Sequence, residues 1–296
     1  MEDLERTKDH LRNVRSVEPI ISALRTIAAG TWRQARTRLE ATQTYTDDLA
    51  AVLSALLPAM LASRQPLPHV APEGTAALKT ALVVVASDRG LCGSYNDIVF
   101  DRTDAYLAKG NPPLLIALGA RADKHLRARG RAPFLTQPMP ITRVIPYRAV
   151  SPVARALERL LASRTVDAVD LVYTPYRGGL AVRADVVRWL PITPSMLPDV
   201  TEQDHSPIVE GDPVAIGLAA MEEWIRVRLY RLLVEAAATE HASRYFAMER
   251  ASDNLKELIE ELTQVYHSAR QHAITMEMLD LVAGSGILKP PSERTR

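Results

Sequence analysis

Between Pro213 and Pro290 the chain has no proline, and its only glycines there are Gly217, Gly284 and Gly286. Helices tolerate proline only in their first turn, so this gap predicts one uninterrupted helix over 212–289. At about 1.5 Å per residue it would exceed ~100 Å, longer than a compact domain is wide. Apolar spacing agrees. Leu258, Leu262, Val265, Ala269, His272, Met276, Leu279 and Ala283 alternate steps of four and three, which is a heptad seam.

The segment 1–60 carries a related stripe through Leu4, Leu11, Val14, Ile21, Leu24, Leu39, Leu49, Leu53 and Leu56. Pro19 interrupts it, and an interior proline costs a helix about 3 kcal/mol, so a kink or short break is expected near 15–19. Between the helical ends, over 75–205, the pattern changes. Ala81–Ala86, Leu114–Gly119 and Asp170–Thr174 are short β-branched or apolar runs that read as buried strands. Helical stretches lie near 94–109, 120–129 and 151–164. Strands alternating with helices argue for a mainly parallel sheet. Arg177-Gly178-Gly179 separates 172–176 from 180–189, a plausible edge hairpin. Prolines at 58, 66, 68 and 72 and at 191, 194, 198 and 207 mark the linkers. The fold class expected is α/β: a long antiparallel two-helix coiled coil from the terminal segments, with a central Rossmann-like α/β domain.

If both helices leave the same side of that domain, the longer C-terminal one outruns its partner by about 25 Å. Its tip holds Ile274, Met276, Met278, Leu279, Leu281, Val282, Ile287 and Leu288, apolar on nearly every side. Such a surface is an aggregation hazard in water, so another protein is expected to enclose it. The 296 residues carry a net charge of +1, which gives no bulk electrostatic reason to bind nucleic acid or an anionic membrane. A single cysteine, Cys92, excludes an intrachain disulfide or a multi-cysteine metal cage and fits a reducing compartment. The acidic start is unlike a signal or transit peptide, and no apolar run reaches the ~20 residues needed to span a bilayer. A soluble protein, joined to membranes only through partners, is expected.

Two regions carry a family resemblance. Ser87-Asp88-Arg89-Gly90-Leu91-Cys92-Gly93-Ser94-Tyr95-Asn96, after the first strand, resembles the signature of F-type ATP synthase gamma subunits. Glu240-His241-Ala242, Met248, Ala251–Asn254, Glu257–Ile259, Leu262–Tyr266, Ala269–Thr275 and Val282-Ala283-Gly284 resemble that family's C-terminal helix. The resemblance implies a central rotor shaft without catalytic chemistry, cofactor or metal of its own. Its partners would be the alpha and beta subunits around the helices, and the epsilon subunit and c-ring at the α/β domain. The implied location is the cytoplasmic face of a bacterial inner membrane. Arg270, Gln271 and Thr275 match positions that hydrogen-bond a catch loop on beta, and Leu24 stands where the family usually has methionine, near the same contact zone. Gln271 and Thr275 share a helix face. Pro19, Ser22 and His272 depart from the usual pattern, as a divergent or alternative synthase would.

Blander readings compete. Gly90 and Gly93 could cradle a phosphate, but neither G-x-G-x-x-G nor G-x-x-x-x-G-K-[ST] is present, and a tight turn is favoured. Asp88 and Arg89 fit a local ion pair or a partner contact. Cys92 has no nearby base in sequence and reads as a small buried residue. Glu240-His241 lies outside any zinc motif, and His267 and His272, five apart, do not share a helix face. A nucleotide-binding α/β enzyme with helical arms and an unrelated coiled-coil scaffold remain the alternatives.

Overall fold

The computed structural model describes residues 2–63, 67, 69–72, 74, 79–110, 112–139, 144–178, 181–196 and 209–284. Two long helices, α1 (Glu2–Ala62) and α5 (Pro213–Gly284), flank β1 (Thr80–Val85), α2 (Tyr95–Leu107), β2 (Leu114–Leu118), α3 (Ala120–Ala128), β3 (Leu135–Gln137), α4 (Tyr147–Ala162), β4 (Ala168–Tyr173) and β5 (Asp185–Leu190). The chain divides into two compact units, Thr26–Ala247 and the pair Met1–Arg25 with Met248–Arg296.

In the larger unit the strands lie in the order β3-β2-β1-β4-β5. All neighbours are parallel except β4 and β5. Strand alternation separates two layers. Ala81, Val83 and Val85 face a core built with Leu53, Leu56 and Met60 of α1, Val153 and Leu157 of α4, and Ile225, Leu229 and Leu233 of α5. Leu82 and Val84 face the other way, with Val99 of α2 and Ala122 and Leu126 of α3. Trp189 is fully buried and donates its indole N–H to the Ile225 carbonyl at 3.0 Å, which ties β5 to α5. Asp170 of β4 is nearly buried. It pairs with Arg188 of β5 at 2.6 Å and accepts a hydrogen bond from Tyr106 at 2.8 Å, so the charge is compensated.

The strands expected at 81–86, 114–119 and 170–174 are β1, β2 and β4 to within two residues. β3 escaped notice because three residues give too little periodicity. The edge pairing is antiparallel as expected, although its turn includes Gly179 and Leu180, outside the described residues. Ile287, Leu288, Pro66, Pro68, Pro198 and Pro207 also lie outside them.

Two expectations about α1 are corrected. α1 runs through Pro19 without a break. Pro19 is exposed, so the Arg15 carbonyl that it leaves unbonded can be hydrated instead of orphaned. α1 also contains an 18-residue window of mean hydropathy 1.3, long and apolar enough for a membrane by composition. Its apolar end is used otherwise: Leu53, Leu56 and Met60 are buried in the sheet core.

In the smaller unit α1 and α5 run antiparallel, with Arg15 donating to Thr263 at 3.5 Å and Leu4 beside Ala269, Ala273 and Met276. The inward seam of α5 follows Leu255, Leu258, Leu262, Tyr266, Ala269 and Ala273. Val265 and His272, expected on it, are exposed at its edge, in the groove that Leu4 also lines.

Candidate functional site: a clamped loop and an exposed helix tip

The 86–94 loop leaves the carboxyl end of β1, where the chain switches from building toward β2 to building toward β4. In open α/β sheets that crevice is the usual ligand position. Here side chains of α5 occupy it. Thr239 donates to the carbonyls of Thr174 and Pro175 at the end of β4, at 3.4 and 3.2 Å. Arg244 donates to the carbonyls of Arg89 and Gly90 at 3.2 and 3.4 Å. The loop therefore turns carbonyl oxygens toward a cation, the opposite polarity to a phosphate cradle.

Inside the loop a polar web is buried. The Ser87 N–H donates to Asn96 Oδ1 at 3.1 Å, and Ser87 Oγ donates to the Arg89 carbonyl at 2.6 Å. Asn96 Nδ2 donates to Ser87 Oγ at 2.8 Å and to Cys92 Sγ at 3.2 Å. Asp88 accepts the Ala120 N–H at 2.8 Å, so its carboxylate serves the first turn of α3. Gly93 has φ +57°, and a Cβ there would stand 3.9 Å from that of Ala247. Leu91 has φ 63° and is 61% exposed. Gly119 is irreplaceable on geometry: with φ +99°, a Cβ would lie 2.1 Å from the Ala86 carbonyl oxygen. Burial pushes the Cys92 thiol up, which makes it inert, as its reading as a small buried residue implies.

Arg244 is itself buried beside Glu240, 2.7 Å away, both side chains being 4% exposed. That oxygen of Glu240 is close to the guanidinium but off the hydrogen-bonding direction. The proximity is the firmer observation, because the Coulomb attraction of a buried pair needs no alignment. Burial raises the Glu240 carboxyl above its usual range, against the pull of Arg244. Burial and the neighbouring guanidinium push His241 down to about 3. The neutral ring accepts from Arg244 at Nδ1, 3.3 Å away. Sequence reasoning overlooked Arg244. The signal was present: a Glu and an Arg four apart, following the small apolar run Ala236–Ala238, form a pair on one helix face.

At the other end of α5, Arg270, Gln271 and Thr275 are all exposed. Thr275 donates back to the Gln271 carbonyl at 2.9 Å. Leu24 is half-buried and is not beside them: the antiparallel register set by Arg15 and Thr263 puts it opposite about residue 254, roughly 25 Å along the helix from this trio. Beyond them Ile274, Met276, Met278, Leu279 and Leu281 are 46–68% exposed. Among the described residues no group of His, Cys, Asp and Glu is arranged to hold a metal ion.

A family model described as ATP synthase matches residues 3–288. The ATP synthase gamma chain of a Cyanothece species is 32% identical over 98% of this chain and 100% of its own length. That of Moorella thermoacetica is 31% identical over 98% and 99%.

This chain belongs to the ATP synthase gamma chain family.

Solved structures agree on the fold. A chain of the Tetrahymena thermophila mitochondrial ATP synthase central stalk and c-ring has a TM-score of 0.56 at 19% identity, covering 79% of this chain and 99% of that one. A rotor chain of the Euglena gracilis mitochondrial enzyme has a TM-score of 0.58 at 14% identity, covering 92% and 98%. The chain shares its fold with these central-stalk and rotor chains. In this chain the loop web and the Arg244 contacts are internal and buried, whereas Arg270, Gln271 and Thr275 of α5 are exposed.

Proposed function

We propose that this gamma chain couples ion-driven ring rotation to conformational change at catalytic sites carried by other subunits, and that it performs no bond chemistry itself. The observation that carries the reading is the exposed apolar end of α5, where five large side chains between Ile274 and Leu281 stand 46–68% exposed. In water such a surface favours association at about 25 cal/mol per Å² of apolar area, so a surrounding ring of alpha and beta subunits is its natural sleeve. Arg270, Gln271 and Thr275 would then supply a few polar contacts on one side of an apolar helix, an orientation-dependent latch on beta. Hydrogen bonds to charged groups contribute about 1.5–3 kcal/mol each, enough to make one rotational position favourable over another. Leu24 would meet the sleeve at a different height. The helical segments 1–60 and 212–289 are the shaft in this reading, and 75–205 is the part that meets the epsilon subunit and c-ring. The assembly would lie on the cytoplasmic face of a bacterial inner membrane.

Reconstitution tests it. Alpha and beta subunits purified with and without this chain should differ: with it, a defined complex containing one copy forms and its ATP hydrolysis rate changes. If the chain neither joins that complex nor alters hydrolysis, the coupling role is wrong.

A further inference from the structure

Arg127, Arg129 and Arg131 close α3 and the turn after it. Two of them are matched: Arg127 pairs with Asp123 at 2.9 Å and Arg129 with Asp104 at 2.7 Å. Arg131 is not. It is half-buried, and its Nη1 is buried with no hydrogen-bond partner among the described residues. A guanidinium withdrawn from water without a counter-charge is costly, so its surroundings favour an anion.

Arg131 lines a cavity of about 410 Å³ whose other walls are apolar, Pro112, Pro113, Leu114, Leu115 and Phe134 among them. Backbone bonds fix its rim: the Phe134 N–H donates to the Leu115 carbonyl at 2.7 Å, and the Arg131 N–H to the Leu126 carbonyl at 3.0 Å. Phe134 is nevertheless 62% exposed. Pro112, Pro113 and Leu114 also border a second cleft, of about 660 Å³, to which Lys79 and Lys109 contribute. Both lysines are exposed. Among the described residues no carboxylate lines either hollow. Asp170, which accepts from Tyr106 of the second cleft, is already paired with Arg188, and Asp167 accepts the Lys79 N–H at 2.9 Å. The adjoining hollows therefore set three cations beside an apolar wall.

We propose that this groove binds an anionic amphiphile, its carboxylate or phosphate head among Arg131, Lys79 and Lys109 and its chain against Pro112, Pro113, Leu114 and Phe134. Ligand sites commonly span roughly 300–1,000 Å³, a range that includes both hollows. The small net charge of the whole chain does not oppose such binding, because attraction at a groove is set by charges within about 10 Å. A lipid-like ligand here is additional to the coupling role.

Photolabelling of the purified full chain with diazirine-bearing probes tests it, the labelled peptides being located by mass spectrometry. One arm uses free dodecanoate, the other phosphatidylglycerol in phosphatidylcholine vesicles, each carrying the diazirine on its chain. Diazirine phosphatidylcholine is the zwitterionic control. The exposed apolar end of α5 takes up chains under any head group, so its labelling is the internal reference. At least one anionic probe should label 112–134 about tenfold more than the control does. Labelling by dodecanoate makes the source a free acid, and labelling from vesicles alone makes it a bilayer lipid. Arg131→Gln should cut the signal about tenfold and Arg131→Lys less. Lys109→Gln and Phe134→Ala change exposed side chains, leave the fold intact and should each lower it severalfold. The site is refuted if all probes label 112–134 equally, or if none of these variants lowers the signal. If the complete synthase shields 112–134 from both anionic probes, a neighbouring subunit supplies the anion and the amphiphile reading is overturned.

Discussion

Replacing Gly119 with alanine tests the local account of the sheet crevice most sharply. The added methyl would lie 2.1 Å from the Ala86 carbonyl oxygen, 2.8 Å from its carbon and 3.0 Å from the Ser87 oxygen, all backbone atoms. Non-bonded contact begins near ~3.5 Å, so β1 and the start of α3 must separate by more than ~1 Å. Two hydrogen bonds span that gap, Ala86 N–H to Leu118 O at 2.9 Å and Arg121 N–H to Ser87 O at 3.0 Å, and Gly119 N–H is held to Gln137 O of β3 at 2.8 Å. Losing one or two buried backbone bonds costs about 1–3 kcal/mol each. A positive φ adds about 1–2 kcal/mol for any residue with a Cβ. The expected destabilisation is about 3–5 kcal/mol, or a fall in Tm on the order of 10 °C for a unit of this size. Urea unfolding of the purified chain, followed by tryptophan fluorescence, measures it, since Trp189 reports on the same sheet. Gly30→Ala is the control. Gly30 lies inside α1 with nothing within 4 Å of an added Cβ, and the change should stabilise by about 0.5–1 kcal/mol. A Gly119→Ala chain within ~1 kcal/mol of the parent would show that the crevice is not closed as described.

Further outcomes concern the buried polar groups. Asp170→Ala strands Arg188 and Tyr106 and should cost about 3–5 kcal/mol in urea unfolding. His241 stays neutral in the fold down to about pH 3 but takes a proton near 6.5 once unfolded, so its contribution is intact above pH 6.5 and lost as pH falls toward 3. Stability should therefore fall by up to about 2 kcal/mol between pH 7 and pH 5, and His241→Gln should flatten that part of the profile. Native Cys92 should label with maleimide about tenfold or more slowly than in urea, and equal rates would contradict its burial.

The sequence alone determined the long features. Freedom from proline over 214–289, a stripe in the first sixty residues and three apolar runs set two helices around a mainly parallel sheet, because propensity and periodicity act over short separations and are written residue by residue. The Ser87–Asn96 motif and the ordered matches along 240–284 were equally legible. Tertiary structure decided what local pattern cannot encode. It carried α1 through Pro19 by leaving that residue exposed, moved the seam of α5 off Val265 and His272, and set Leu24 about 25 Å from the Arg270 trio. It also brought Arg244 to the loop at 89–90, across 154 or more residues of chain. Register, burial and such distant contacts depend on how elements meet in space. A buried charge is stable only where its partners converge, and that convergence exists only in the fold.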